Sequence, residues 1–500
     1  MGKDNRAKNR PSEQKSEKGK EMTRFKIPTI STDLTKRMEG HTFRVIKGIF
    51  LFLSILLIVW IGKLIVFDSN TISVNAYNPR LAKLEEGYIR GSILDAGGNV
   101  LAYTQVNEAG EKTRVYPYGK VFAHVTGYSA KTKTGLELAM NTELLSASSW
   151  LDTLRSSVRD TPVQGCDVVT TLQAELQEKA YALLGDHSGA VVVSEPSTGK
   201  ILALVSTPAY DPNTVFSQWE EISQDESAPL FPRATQGKYA PGSTFKIITS
   251  LALYRTDSSW QDYRYTCEGE TVLGNTTLPC FDHKVHGEES IADAFANSCN
   301  TFYANLGLHI GAKSLRSCAD SLLFNSDIEF ILPIARSSFP LSEDDTVEMV
   351  GETSIGQGKT MVSPFHMNLI TNAIANEGML YEPYMVDRVV TKEGNQISKN
   401  LPKLYGALLE PQEAAYLEEM MAGVIARGTA TSLQNSYCQV YGKTGTAQVG
   451  EGEEAHSWFT GYTKTNGSVD IAVTVVVEHG AESKRAVPLV KELLEYYYSR

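Results

Sequence analysis

The run GIFLFLSILLIVWIGKLIVF, residues 48–67, leaves the chain few options. About 20 helical residues at roughly 1.5 Å each span about 30 Å, the thickness of a bilayer hydrocarbon core. Lys63 is the one charge in the run and lies near its far end, where its stem can carry the amine out to the headgroups. The apolar core is longer than that of a signal peptide, and no clear Ala-x-Ala cleavage pattern follows. A membrane anchor over 45–67 is therefore expected, rather than a cleaved leader or a buried core helix. Arg37, Arg44 and Lys47 flank its start, which predicts a cytoplasmic N-terminus and an extracytoplasmic remainder.

The anchor also divides the charge. Residues 1–44 hold twelve Lys/Arg and six Asp/Glu, whereas the whole chain carries a net charge of -11. The part beyond the anchor is thus strongly acidic, which argues against nucleic acid as a main partner. Residues 1–44 have few large apolar side chains and are expected to be a disordered cytoplasmic tail.

The 500 residues allow two or three domains. Residues 68–160 read as a small α+β pedestal, with IRGSILDAGGNVLAYT alternating around Gly97-Gly98-Asn99 as a hairpin would. Residues 161–500 read as a larger domain. DVVTTLQAELQEKAYALL predicts a strand running into a helix, and GAVVVSEPSTGKILALVS two strands joined at Pro196–Gly199. SPFHMNLITNAIANEG predicts a helix capped by Ser363, with Pro364 at its first position and Gly378 at its close. Three further strands and a final helix, VPLVKELLEYYYSR, follow toward the C-terminus. Strands at both ends with helices between them predict an α+β domain, an antiparallel sheet flanked by helices.

Six cysteines suit an oxidising compartment. Cys267 and Cys280 close a short loop and are either bridged, for roughly 3 kcal/mol, or two free thiols. Cys166, Cys299, Cys318 and Cys438 show no pairing pattern, and Cys-x-x-Cys and zinc-finger spacings are absent. His283 and His286 in HKVH are too sparse a signal for a metal, and no metal site is expected.

Three short motifs carry chemistry. In YAPGSTFKIITS, Ser243 and Lys246 are three residues apart, on one helical face if a helix starts near Ser243. A serine hydroxyl needs a base within reach, and a neutral lysine can serve. The helix mouth would favour developing negative charge. In ANSCNTFYANLG, Ser298 is placed to relay a proton and Asn300 to hold a substrate amide. In YGKTGTAQ, Lys443, Thr444, Gly445 and Thr446 lie on a predicted strand. Lys443 would help keep Lys246 neutral, Gly445 would let a substrate backbone approach, and the strand edge could receive a peptide. Each motif alone is common as a helix cap or a blunted edge strand; the ordered set is far more specific.

The set Ser-x-x-Lys, Ser-x-Asn, Lys-Thr-Gly resembles that of class B penicillin-binding proteins, membrane-anchored D,D-transpeptidases. RGSILDAGGNVLA, HGEESIADAFANSCN, SIGQG and HSWFTGY extend the likeness across most of the chain. The resemblance implies a five-stranded antiparallel sheet covered by helices, and acyl transfer through Ser243. It implies Lys246 as base, Ser298 as proton shuttle, and backbone N–H groups of Ser243 and Thr446 as oxyanion hole. Thr444 and Thr446 would bind the substrate carboxylate, with Lys443 adding charge. Partners implied are peptidoglycan stem peptides, β-lactams as inhibitors and a SEDS-type glycosyltransferase in the membrane, with no cofactor. The short pedestal is similar to that of the actinobacterial and clostridial members, and no cell-wall-binding repeats are expected after the last helix. A β-lactamase, a D,D-carboxypeptidase or a non-catalytic partner of a glycan polymerase are the alternatives.

Overall fold

The computed structural model describes residues 32–63, 87–130, 132–146, 162–450, 453–480 and 485–499. Helix α1 (Thr32–Lys63) contains the apolar stretch Phe43–Lys63, long and apolar enough to cross a membrane, and none of that stretch is buried. The helix begins earlier than the expected anchor. Residues 32–44 continue it instead of forming a disordered tail, since no proline follows Pro28 until after the apolar run. Residues 1–31 of the expected tail and 64–67 of the expected anchor lie outside the described residues.

Residues 73–500 form a separate compact unit. Its strands and helices run β1 (Ile93–Leu94), β2 (Val100–Val106), β3 (Lys112–Val115), β4 (Asp167–Thr170), α2 (Ala174–Leu184), β5 (Gly189–Glu195) and β6 (Lys200–Thr207). They continue as α3 (Lys246–Thr256), α4 (Ile291–Asn297), α5 (Asn300–Ile310), α6 (Pro364–Ala375), β7 (Val386–Val390) and β8 (Gln396–Lys399). The chain ends through α7 (Pro411–Arg427), β9 (Gln439–Ala447), β10 (His456–Thr465), β11 (Ser468–Val477) and α8 (Ala486–Ser499). Shorter pieces are named by residue.

The predicted hairpin forms, with Leu94 opposite Val100 and the Asp95 carboxylate accepting from Asn99 N at 2.7 Å. A six-stranded sheet, ordered β8-β7-β4-β1-β2-β3, ties these strands to segments far along the chain. Strand β4 is its pivot, pairing parallel with β1 and antiparallel with β7.

The five-stranded sheet has the order β9-β10-β11-β5-β6, antiparallel throughout. Every residue from Gly189 to Ser194 is buried, so β5 reads as an apolar run and not as an alternation. Helix α6 covers one face. The Ser363 hydroxyl accepts from His366 N at 3.1 Å, as its cap, and all twelve helix residues are buried. Its polar side chains find partners inside: Ser194 Oγ donates to Asn368 Oδ1 at 2.6 Å, and Thr371 and Thr460 share a bond of 2.6 Å. Those sheet residues alternate with Ser457 and Thr463, which bond to Ala486 N and Tyr498 at α8 on the opposite face.

Candidate active site

Ser243 lies in a 3-10 turn, Gly242–Phe245, that runs directly into α3. Pro241 precedes the turn, and its carbonyl accepts from Thr244 Oγ1 at 2.7 Å, tightening it. Three residues on, Lys246 is the first residue of a helix whose first two turns are wholly buried. The apolar residues that follow Lys246 draw this helix into the core and take the lysine with it. Ser243 itself is half-buried, and its hydroxyl has no hydrogen-bond partner among the described residues.

Three backbones meet here without side chains between them. Gly242 has φ +53°, and a Cβ on it would lie 2.3 Å from the Thr446 carbonyl oxygen. Gly356, in the SIGQG loop, has φ +79°, and a Cβ there would lie 2.0 Å from the Gly242 carbonyl oxygen. Gly242 N donates to Gly356 O at 2.9 Å. The Ser243 turn is thus clamped between that loop and strand β9, and the third motif stands against the first, as the sequence predicts.

Ser298 joins the two lysines. It ends α4 in the left-handed region, φ +59°, and the chain restarts as α5 at Asn300. That corner turns the Ser298 hydroxyl inward. Lys443 Nζ donates to Ser298 Oγ at 2.9 Å and Lys246 Nζ at 3.3 Å. Lys246 Nζ also donates to Ser298 O at 2.7 Å and to Asn300 Oδ1 at 2.8 Å. Both amines lie over aromatic rings, Lys246 at 5.4 Å from Tyr303 and Lys443 at 5.5 Å from Phe295. Both lysines are fully buried. Burial lowers the Lys246 amine to about 8. Burial, and then the charge of Lys246, holds Lys443 well below the usual lysine range. Desolvation is the first cause for both amines, and the repulsion between the two neighbouring lysines is mutual. Two ammonium groups around one buried hydroxyl repel, so the arrangement keeps a neutral amine beside Ser298.

Strand β9 is the edge of its sheet, with only β10 beside it. Thr446 is exposed and Thr444 half-buried on its surface. Gly445 has a different use from the one expected. A Cβ there would meet Thr244 Cγ2 and Trp458 Cβ at 2.9 Å, so its bareness lets the strand pack on the Ser243 turn, not a substrate on the strand. Asn300 likewise spends its side chain on the protein, its oxygen on Lys246 and its Nδ2 on Pro279 O at 3.2 Å.

Sequence reasoning missed Thr429, whose hydroxyl is 2.6 Å from that of Thr444. Its loop packs tightly on α4, where a Cβ on Gly428 would lie 2.3 Å from Ala296 O. The Gly-Thr pair after the end of α7 was the available signal. It also missed a sulfur cluster. Cys267 and Cys280 are free thiols with sulfurs 3.6 Å apart, and His286, set aside above, stands beside them with Cys299. His283 is not part of that group; its ring reaches Glu270 at 3.4 Å on the surface.

Comparison with known proteins gives a consistent picture. Residues 189–495 match the penicillin binding protein transpeptidase domain, and residues 90–168 match the penicillin binding protein A dimerisation domain. The chain is 32% identical over 450 residues to the peptidoglycan D,D-transpeptidase PbpA of Mycobacterium tuberculosis H37Rv, which covers 83% of this chain and 89% of that protein. The imipenem acyl-enzyme complex of penicillin-binding protein A from M. tuberculosis matches with a TM-score of 0.76 at 30% identity, covering 82% of this chain and 99% of that one. The D,D-transpeptidase domain of a peptidoglycan glycosyltransferase from Eggerthella lenta matches with a TM-score of 0.74 at 29% identity, over 82% and 99%.

Proposed function

This chain belongs to the penicillin-binding protein transpeptidase family, and on that premise we propose that it crosslinks peptidoglycan stem peptides through an acyl-enzyme on Ser243. Neutral Lys246 takes the Ser243 proton as Oγ bonds to the penultimate D-alanine carbonyl carbon. The proton passes through Ser298 to the departing terminal D-alanine as its C–N bond breaks. A neighbouring stem peptide's amine then attacks the acyl carbon, and Ser243 recovers its proton. The N–H groups of Ser243, at a helix start, and of Thr446, on an edge strand, receive the negative oxygen. Thr444 and Thr446, with the Lys443 amine behind them, hold the substrate carboxylate, and Thr429 orients the Thr444 hydroxyl.

One observation carries this reading: the Ser298 hydroxyl is held between two buried lysine amines, one of which, Lys246, stands three residues on from Ser243 at the helix start. The test is to treat the protein with a fluorescent penicillin and map the modified peptide by mass. Adduct on residue 243 is the expected result, and adduct elsewhere refutes the assignment. The lifetime of that adduct separates the activities. A lifetime of minutes to hours fits a transpeptidase, and release within seconds fits a β-lactamase on the same fold.

Acylation should also follow pH in a definite direction. The base is the neutral amine, whose fraction grows as pH rises through about 8. The second-order acylation rate should climb about tenfold per pH unit below that value and level off above it. A stopped-flow profile from about pH 6 to about pH 10 checks this; a flat limb below about pH 8 contradicts it.

The apolar helix and the family fit a membrane-anchored protein. We place the N-terminus in the cytoplasm, because Arg37, Arg44 and Lys47 flank the helix there, and the catalytic residues outside. We keep the division into a pedestal over 68–160 and a catalytic domain over 161–500. A SEDS-type glycosyltransferase supplying glycan strands in the same membrane completes the proposal; co-purification of the two in detergent tests it.

A further inference from the structure

We propose that Tyr239 and Glu478 are positioning residues for acyl transfer: the Tyr239 side chain, pinned at its hydroxyl by the Glu478 carboxylate, sets how far the Ser243 turn stands from strand β9. This role rests on the Ser243 acyl-enzyme reading, in which that distance is the spacing between the N–H groups of Ser243 and Thr446.

Tyr239 stands four residues before Ser243, and its backbone is tied on both sides. Tyr239 N donates to Val362 O at 3.0 Å, and Val362 N donates to Tyr239 O at 2.8 Å. The side chain then reaches across to the sheet. Its ring meets that of His456 edge-on at 5.4 Å between centroids and that of Trp458 at 6.0 Å, separations at which edge-on rings attract. Those two residues lie opposite Ala447 and Gly445 on β9, and Ser457, between them, lies opposite Thr446. One ring therefore links the segment that leads into Ser243 with the two neighbours of the residue that backs Thr446.

The hydroxyl holds that ring in register. Tyr239 Oη donates to Glu478 Oε1 at 2.7 Å, and Arg233 Nε donates to the same oxygen at 2.8 Å. Glu478 directly follows β11, whose last residue, Val477, lies opposite Ser457, and Glu478 N donates to Ser188 O at 2.8 Å. The carboxylate is thus fixed to the sheet. Arg233 is fixed in turn, its other nitrogens donating to Ser227 O at 2.9 Å and Ala228 O at 3.2 Å. Arg233 and Tyr239 are buried. Gly237 makes room for the arrangement, since a Cβ there would lie 2.5 Å from Tyr239 Cε2 and 2.8 Å from its hydroxyl oxygen. Burial, and then the charge of Glu478, raises the hydroxyl well above the usual tyrosine range, so it stays a donor. Apolar contact has no direction of its own; the charge-assisted bond supplies one and stops the ring from sliding. Among the described residues, neither side chain makes a hydrogen bond to Ser243, Lys246 or Ser298, so the effect is on position and not on proton transfer.

The test follows acylation of the full chain in detergent by a chromogenic cephalosporin over a range of concentrations. Tyr239→Phe keeps the ring and removes the bond. Its limiting acylation rate should fall about 10- to 100-fold, while the concentration giving half that rate stays within about threefold of wild type. The loss belongs in the limiting rate because the oxyanion contacts form only as the carbonyl carbon becomes tetrahedral. Glu478→Gln still offers a carbonyl oxygen to both donors, and should acylate within about threefold of wild type. The amount of adduct at completion counts the folded sites, so a poorly folding variant does not pass for a slow one. A wild-type limiting rate in Tyr239→Phe overturns the positioning role, as does a loss confined to the half-saturating concentration, or a Glu478→Gln variant as slow as Tyr239→Phe. With the wild-type adduct mapped to residue 243, any of these leaves the acyl-enzyme reading standing. A wild-type adduct mapped elsewhere removes that reading and the positioning role with it.

Discussion

Ser243→Ala will take up no penicillin, and Lys246→Met will take it up about 10²–10⁴-fold more slowly than the unaltered chain. Methionine keeps the length and the buried surface of the lysine stem, so the helix start can hold its place. What it lacks is a nitrogen basic enough to take up a proton. Ser243 then has no base, because Lys443, the other buried amine, reaches Ser298 at 2.9 Å and not Ser243. The loss should appear in the acylation rate, with the helix content of the protein unchanged by circular dichroism. The variant also distinguishes two uses of Lys246. It holds Ser298 O and Asn300 Oδ1 as well as serving as base. If holding were its main use, Lys246→Arg would restore much of the rate, since a guanidinium donates to both acceptors. It should not, because a guanidinium does not give up its proton. A rate within tenfold of wild type for either variant would remove Lys246 from the chemistry.

The sequence made the reacting groups legible and left their surroundings hidden, for a physical reason. Ser243 and Lys246 announce themselves because i and i+3 share a helical face. The sheet shows in the unbroken apolar run of β5 and in the long apolar strand β11. Local patterns of this kind depend on neighbours in sequence. The short loop between Cys267 and Cys280 is legible, but their meeting with His286 and Cys299 depends on strand pairing and on where α5 starts, which no local spacing encodes. Thr429 leaves only the weak Gly-Thr signal after α7, because its hydroxyl meets Thr444 only after α7 and β9 have packed. The desolvation that lowers both amines is hidden as well, because burial is a tertiary property. A motif shows two positive charges, but not that both are stripped of water. Gly445 was read as making room for substrate, when the side chains of Thr244 and Trp458 already fill the space.

Gly242→Val should silence the site without touching a single reacting atom. The residue has φ +53°, where a β-branched side chain is strained, and its Cβ would fall 2.3 Å from the Thr446 carbonyl oxygen. That oxygen belongs to a strand anchored along its length, from Gln439 opposite Lys464 to Ala447 opposite His456. On the other side, Gly242 is tied to Gly356 by a bond of 2.9 Å, and the two backbones are so close that a Cβ on Gly356 would lie 2.0 Å from the Gly242 carbonyl oxygen. Neither wall is the flexible end of a side chain, so the Ser243 turn and β9 must part. An opening of about 1 Å would misplace both oxyanion donors and the hydroxyl together, and such an error costs about 10²-fold per misaligned contact. The expected acylation rate is at least about 10³-fold below wild type. The stability cost should be about 2–4 kcal/mol by chemical denaturation, from overpacking plus a left-handed residue without the freedom of glycine. Gly242→Ala should fall between the two, because one methyl meets the same oxygen with less bulk behind it. A valine variant that acylates at the normal rate would mean that the turn and the strand are not held against each other in solution, and the geometry assigned to the oxyanion hole would fall with it.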